Sequence, residues 1–148
     1  MSDRIKIDVV SVSLDKALKE LQNKVDDKRP LMRQIAGDLL DAVEENFEQQ
    51  GRPRWKALSE STIKQRRRRG TFPGKILQES GGLAASVTES DDENSAEVGT
   101  NKVYAAIHQF GGQAGRGKSV TIPARPFLSV TDEDLGDIEE RVKGYIEG

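Results

Sequence analysis

The chain has 148 residues, enough for one domain with a core of its own. Only 34% of the residues are hydrophobic and 5% are aromatic, while 32% are charged, so we expect a modest core and a largely solvated surface. The chain has no cysteine, which excludes disulfides and thiolate chemistry. No stretch approaches the roughly 18 apolar residues of a membrane span. We therefore expect a soluble cytoplasmic protein and no membrane partner.

The net charge of −2 conceals a strong asymmetry. Residues 52–75 contain nine basic residues and one acid, whereas residues 131–148 contain seven acids and two bases. A chain with a basic belt and an acidic tail can attract copies of itself or a polyanion.

Alternation and capping patterns predict the N-terminal elements. Residues Arg4–Val10 alternate between apolar and polar side chains, which predicts an edge strand. A helix is predicted from a cap at Ser13 to about Val25. A second, longer helix is predicted from Pro30 to Gly51. We expect these two helices to form an antiparallel hairpin.

The middle of the chain predicts one short helix and a β-hairpin. Ser59 is a plausible N-cap for a helix over Glu60–Arg69, and Gly70 ends it. Strands are predicted over Ala84–Ser90 and Ala96–Thr100, joined by a short polar turn.

The last third predicts smaller elements and a final helix. Val103–Phe110 indicates a short helix or turn, Gly111–Gly117 a mobile loop, and Val120–Ile122 a strand. Thr131 and Asp134 form a near capping box for the final helix. This order of elements favours an α+β domain in which helices cover one face of a small antiparallel sheet.

No residue pattern indicates a catalytic or metal site. His108 is the only histidine, and no carboxylate lies within five residues of it. The two acidic runs, Asp91–Glu93 and Asp132–Asp134, lack the spacing of a calcium loop. We therefore expect no enzyme activity, no metal and no cofactor, and we interpret His108 as a packed side chain.

One segment matches the spacing of a phosphate-binding loop. Gly112, Gly117, Lys118 and Ser119 satisfy the pattern G-x-x-x-x-G-K-S. Such a loop follows a buried strand and opens a helix, whereas residues 120–123 predict a strand stopped by proline. Nucleotide binding is therefore a weak alternative.

The run Arg66–Arg69 has three interpretations: a solvated helix face, a nucleic-acid patch or a docking surface. Four adjacent arginines point in all directions around a helix and repel one another. We therefore expect residues 64–75 to be a disordered or partner-ordered arm. The acidic C-terminal helix of a neighbouring copy is one complement; packaged DNA, bound non-specifically through residues 52–75, is the alternative.

Two C-terminal motifs fix a backbone path. Tyr104–Gly112 reads YAAIHQFGG and Ile122–Leu128 reads IPARPFL, with prolines that restrict φ and glycines that free it. Together with Trp55-x-x-Leu58-x-x-x-Thr62, they resemble the phage virion morphogenesis family, the tail-completion proteins of contractile-tailed phages of the Mu and P2 kind. The resemblance runs from about residue 30 to 146, although a serine at 129 replaces the family's usual glycine.

The resemblance implies a single α+β domain over residues 1–148, with flexible loops near 64–76 and 111–119. It implies a helical hairpin and a C-terminal helix packed on a small, curved, barrel-like antiparallel sheet. In function it implies a non-enzymatic virion protein that completes the tail or joins head and tail. Such a protein would be assembled in the bacterial host cytoplasm as a homo-oligomeric collar, and sixfold symmetry would suit a tail. Tail-tube or neck and connector proteins would be its neighbours.

The side chains that we expect to make contacts with partners are the arginine run and the residues of the motifs. These are Arg66, Arg67, Arg68, Arg69, Trp55, Tyr104, His108, Phe110, Arg125 and Phe127.

Overall fold

The structure, a computed structural model, describes residues 11–148, so the strand expected over Arg4–Val10 lies outside the described residues. The described part contains six helices and four short strands. In chain order these are α1 (Val12–Lys24), α2 (Arg29–Glu48), α3 (Glu60–Arg69), α4 (Gly82–Ser86), β1 (Thr88–Asp91), β2 (Ala96–Gly99), α5 (Ala105–Phe110), β3 (Gly112–Ala114), β4 (Val120–Ile122) and α6 (Asp132–Glu147). A turn of 3-10 helix, Arg116–Lys118, joins β3 to β4.

The long helices begin and end close to the predicted positions. Ser11, two residues before the expected cap, accepts a hydrogen bond from the Leu14 amide and starts α1. Pro30 lies in the first turn of α2, where its missing N–H does no harm. Gly51 follows α2 with φ +102°, and a Cβ there would lie 2.6 Å from the Trp55 ring. The close approach of Trp55 therefore requires glycine at this position.

One apolar cluster joins α1, α2 and α6. Its buried members are Ala17, Leu21, Leu31, Met32, Ile35, Ile138 and Val142. Although α1 and α2 are consecutive and share this cluster, α1 packs most extensively against α6. The three helices are thus held by one core, and α6 rather than α2 is the principal neighbour of α1.

A second cluster surrounds three aromatic rings. Phe47 meets Trp55 edge-on at 5.9 Å between ring centroids, and its centroid lies 5.4 Å from that of Phe127. Buried residues of α2, α4 and α5 and of the segments after α3, α4 and β4 complete it, namely Val43, Ile76, Leu77, Leu83, Val87, Ala105 and Leu128. Because α2 contributes to both clusters, it connects the two halves of the core.

The strands form two separate two-stranded antiparallel sheets. β1 pairs with β2 in the register Thr88↔Gly99, and this hairpin packs on α2. β3 pairs with β4 in the register Gly112↔Ile122. The α+β class and the hairpin near residue 90 are confirmed. Because each sheet has only two strands, neither closes, and the described residues contain no barrel.

The prediction of a strand beginning at Ala84 is wrong, because residues 82–86 form α4. Leu83 and Val87 are both buried, and their spacing of four matches a helical turn. The Ser86 hydroxyl donates to the Leu83 carbonyl at 2.6 Å, which supports the turn. The strand therefore begins only at Thr88.

The predicted capping box of α6 is confirmed. The Thr131 hydroxyl accepts from the Asp134 amide at 3.1 Å, and the Asp134 carboxylate accepts from the Thr131 amide at 3.0 Å. Within residues 11–148, no helix has both the length and the apolarity to cross a membrane.

Candidate assembly surfaces

The two C-terminal motifs meet inside the protein through Gln109 of α5. Its Oε1 accepts hydrogen bonds from the amides of Phe127 and Leu128, at 3.0 and 2.9 Å, and its Nε2 donates to the Leu128 carbonyl at 3.1 Å. Residues 123–130 are irregular, so their backbone groups have no ladder partners. The buried Gln109 side chain therefore makes the hydrogen bonds to this backbone that a neighbouring strand would otherwise make.

Asn46 of α2 holds the same segment from the other side. Its Nδ2 donates to the carbonyls of Phe127 and Ser129 at 2.7 and 3.0 Å. Its Oδ1 accepts from Nε of Arg52, whose guanidinium makes an ion pair of 2.8 Å with Asp134. Asn46 therefore connects α2, the irregular segment and the start of α6.

Gln109 and Asn46 were not predicted, because each is a single polar residue among apolar ones. The usable signal was that each lies four residues after an apolar residue on the same helix face, Asn46 after Ala42 and Gln109 after Ala105. A polar side chain at such a position is expected to be hydrogen-bonded when buried.

Four of the expected contact residues are buried within the subunit, namely Trp55, Arg125 and Phe127, described here, and Arg66, described below. Trp55 is buried and donates from Nε1 to the Pro126 carbonyl at 2.9 Å, and Phe127 is fully buried. The Arg125 guanidinium donates to the carbonyls of Lys56 and Ala57 at 2.8 and 2.9 Å. Burial and the nearby charge of Arg66 lower the pKa of Arg125. These side chains stabilise the fold and do not lie on the surface of the subunit.

His108 is half-buried and beside Tyr104, with ring centroids 6.1 Å apart. Its Nδ1 is buried without a hydrogen-bond partner in the described structure. Burial, and then the charge of Arg125, lower the pKa of His108, so the neutral imidazole is favoured. Residues 11–148 contain no group of three histidine, cysteine or acidic side chains that could hold a metal ion.

The arginine run lies in α3, which confirms the helix predicted over Glu60–Arg69. Disorder of residues 64–75 in the isolated subunit stays a prediction. Ser59 caps α3 by accepting from the Thr62 amide, and Gly70 ends the helix in the left-handed region, as predicted. Arg66 is 6% exposed and donates to the carbonyls of Lys75 and Ile76 at 2.9 and 2.6 Å. Because the Arg66 guanidinium points inward to these carbonyls, it does not add to the charge repulsion on the outer side of α3. The same hydrogen bonds connect α3 to residues 75–76.

The other three arginines form an exposed cationic face. Arg67 lies over the Phe72 ring at 5.0 Å, and Arg69 pairs with Glu79 at 2.8 Å. Arg68 is exposed between them. We call Arg67, Arg68 and Arg69 the α3 basic face.

Large apolar side chains are exposed around α5. Val103 is 88% exposed and Phe110 is 58% exposed, and Tyr104 and Val120 are also exposed. Among the expected contact residues, Tyr104 and Phe110 thus lie at the surface and can meet a partner. A concentration of exposed apolar residues is typical of a surface that another protein covers.

The segment with phosphate-loop spacing forms a β-hairpin. Gly112 is in β3, Gly117 and Lys118 are in the 3-10 turn, and β4 follows instead of a helix. A phosphate-binding loop needs amides at a helix N-terminus, so this segment cannot cradle phosphates in that way.

An acidic groove lies between α2 and α6, with a volume of about 270 Å³. Its carboxylates are Asp38, Asp41, Glu45, Asp134 and Asp137, and Arg52 is its one basic residue. Asp38 is paired with Arg141, Asp134 with Arg52, and Glu45 accepts a hydrogen bond from Gln49. Asp41 and Asp137 are exposed, and no described residue pairs with them.

A small α+β body whose notable features are charged and apolar surfaces is typical of a protein that acts by binding other molecules. The chain belongs to the phage virion morphogenesis family, whose model matches residues 9–147.

Among its relatives is the Mu-like prophage FluMu G protein 2 of Haemophilus influenzae, 47% identical over 88% of this chain and 87% of that protein. The putative capsid assembly protein G of Escherichia phage Mu is 37% identical, over 94% of this chain and 90% of its own length. FluMu G protein 1 of H. influenzae is 33% identical over 78% of this chain and 77% of its own. No solved structure is significantly similar to the chain.

Proposed function

We propose that this chain is a structural assembly protein that completes the phage tail or joins it to the head, as a collar of identical copies, and that it is not an enzyme. The family membership supports a role in virion morphogenesis. The name of the Mu relative, putative capsid assembly protein G, agrees with that role. The collar would be built in the bacterial host cytoplasm and retained in the virion, next to tail-tube or neck and connector proteins.

The observation that carries the proposal is the exposure of complementary charges on one subunit. The α3 basic face is cationic, whereas α6 exposes carboxylates that include Glu133 and Glu140. Arginine forks bind carboxylates in two-point contacts, so a neighbour's acidic surface is a suitable complement. A contact between unlike surfaces is heterologous, and a heterologous contact that closes produces a ring. Six copies would match a sixfold tail.

Light scattering across a concentration series tests the collar directly. We expect the wild-type mass to rise to a defined multiple of 16.3 kDa. Changing Arg67, Arg68 and Arg69 together to alanine should leave the protein folded and raise the dissociation constant of the oligomer. The matched control changes Lys16 and Lys19 of α1, which are also exposed, to alanine. It should leave the dissociation constant of the oligomer unchanged. A wild-type protein that remains monomeric at every concentration would contradict the collar.

Non-specific binding to packaged DNA is the second candidate, because three outward arginines on one short helix also suit phosphates. In that case the triple variant keeps its oligomers and loses DNA binding, and the slope of log K against log salt flattens by about one unit per lost phosphate contact.

A further inference from the structure

The β3–β4 hairpin has no core of its own. Each strand has three residues, and nearly all side chains from Gly112 to Thr121 are exposed. Its substantial contacts among the described elements are between its two strands and its own turn. A two-stranded hairpin is at best marginally stable alone in water. Within residues 11–148, each of its strands also has one edge without a ladder partner, and such edges favour pairing with another chain.

The hairpin is cationic and its charges are unpaired. Arg116 and Lys118 lie in the turn at its tip, both are exposed, and neither has an ion-pair partner among residues 11–148. No acidic residue occurs anywhere between Glu97 and Asp132 in the sequence. An acidic partner for the tip must therefore come from a distant part of the chain or from another molecule.

The groove between α2 and α6 has the complementary property. Among residues 11–148, five carboxylates face one guanidinium there, and Asp41 and Asp137 are the two carboxylates without a partner. Its volume of about 270 Å³ lies below the roughly 300–1,000 Å³ of small-ligand pockets, and suits one or two side chains better than a whole ligand. No substantial contact joins the hairpin to α2 or α6 within the described subunit, so the two surfaces are not satisfied within one copy.

We propose that the β3–β4 hairpin is an assembly arm that docks on a second copy of this chain, with Arg116 and Lys118 facing Asp41 and Asp137 of that copy's α2–α6 groove. Val120, exposed next to the tip of the arm, and Phe110, exposed just before its first strand, are covered by the same contact. The interface is heterologous, so each copy gives its arm to one neighbour and receives the arm of another. This inference rests on the proposed collar, and it adds a second contact between neighbouring copies to the one made by the α3 basic face.

Charge exchange tests the arm. Arg116→Glu with Lys118→Glu should keep the monomer folded, because both side chains are exposed, and should raise the dissociation constant of the oligomer by about tenfold or more. Asp41→Lys with Asp137→Lys should produce the same defect. Mixing the two variants should restore assembly. Where the two variants alternate, the glutamate arm of one faces the lysine groove of the other, and the unchanged basic arm faces the unchanged acidic groove. The control, Lys16→Glu with Lys19→Glu on α1, should assemble normally.

Cross-linking tests the placement independently, because the chain has no cysteine. A mixture of the Lys118→Cys and Asp137→Cys proteins should form a disulfide-linked dimer on oxidation. A mixture of Lys118→Cys with Glu93→Cys, an exposed residue of the β1–β2 turn, should not.

The outcomes separate the arm from the collar. If the wild type assembles while both charge-reversed variants assemble equally well and the cross-link is absent, the arm is wrong and the collar stands. If the wild type is monomeric at every concentration, the collar fails and the arm with it. If the arm variants keep their oligomers and lose salt-sensitive binding to duplex DNA, the occupant is DNA and the proposal is overturned.

Discussion

At the scale of single residues, buried polar side chains organise the segment that carries the family motif. Gln109 satisfies three backbone groups of residues 127–128, and Asn46 satisfies carbonyls on the same segment. A buried donor that loses its partner costs about 1–3 kcal/mol, so such residues matter more than their number suggests.

Replacing Gln109 with alanine should therefore lower the free energy of unfolding by about 3 kcal/mol, since it leaves the Phe127 and Leu128 amides without acceptors. Urea denaturation measures the change. Gln113→Ala is the control, because Gln113 is an exposed glutamine on β3 and should change stability by less than about 0.5 kcal/mol. Equal effects of the two substitutions would show that the hydrogen bonds of Gln109 contribute little.

Asp134 should make the free energy of unfolding depend on pH in the acidic range. Burial alone would raise its pKa, but hydrogen bonds from Thr131 and Arg52 outweigh burial and hold the pKa below the ordinary 3.8. The folded pKa is thus depressed, so the stabilisation is fully present above the unfolded value and is lost as pH falls through the folded one. Between pH 5 and acid unfolding, Asp134→Asn should lose less stability than the wild type. Denaturation at a series of pH values measures this, with Asp132→Asn, an exposed residue of the same first turn, as control. Parallel pH profiles for wild type and Asp134→Asn would contradict the assignment.

At the scale of elements, α3 shows how one inward side chain orders a highly charged helix. Arg66 donates to carbonyls of residues 75–76 and so ties the end of α3 to the loop that follows. Glu79 accepts from Arg69 on the outer side. The basic face is therefore held on a defined helix, which is a better scaffold for docking than a disordered arm.

Arg66→Ala should lower the free energy of unfolding by about 2 kcal/mol, because hydrogen bonds from a charged donor contribute roughly 1.5–3 kcal/mol. It should also speed amide hydrogen exchange in α3. Arg68→Ala, on the exposed side of the same helix, should change neither quantity measurably. Unprotected amides throughout α3 in the wild-type monomer would instead support the disordered arm.

At the scale of the whole molecule, α2 contributes residues to both apolar clusters and so connects them. Leu31, Met32 and Ile35 pack with α1 and α6, while Val43 and Phe47, farther along the same helix, pack around Trp55. A single continuous helix cannot easily keep one cluster ordered while the other unfolds.

We therefore expect cooperative unfolding of a single domain. Trp55 is the only tryptophan and reports on one cluster, whereas far-ultraviolet circular dichroism reports on all helices. Leu21→Ala, a change in the other cluster, should lower the free energy of unfolding by about 2–5 kcal/mol. The midpoints of the fluorescence and circular dichroism transitions should then fall by the same amount as each other. If the circular dichroism midpoint moved and the fluorescence midpoint did not, the chain would contain two independent units.

Local sequence determined the elements whose signals lie within a few residues. The N-cap of α3 at Ser59 and the capping box of α6 depend on side chains three residues from the backbone groups that they satisfy. Gly70 ends α3 because glycine adopts the left-handed conformation without steric cost. The two C-terminal motifs, with the pattern of Trp55, Leu58 and Thr62, were also sufficient to identify the family, because they are properties of the residue order alone.

Tertiary structure decided which side chains are inside and what they contact. The bond from Asn46 to Phe127 joins residues 81 apart in the chain, and the bond from Arg125 to Lys56 joins residues 69 apart. No local pattern distinguishes a buried Arg66 or Arg125 from an exposed Arg68, since burial depends on carbonyls supplied by distant segments. The same physical reason made α6 the main neighbour of α1 and, within residues 11–148, left the β3–β4 hairpin without an extensive contact to another helix or strand, because packing between elements is settled only when the whole chain has folded.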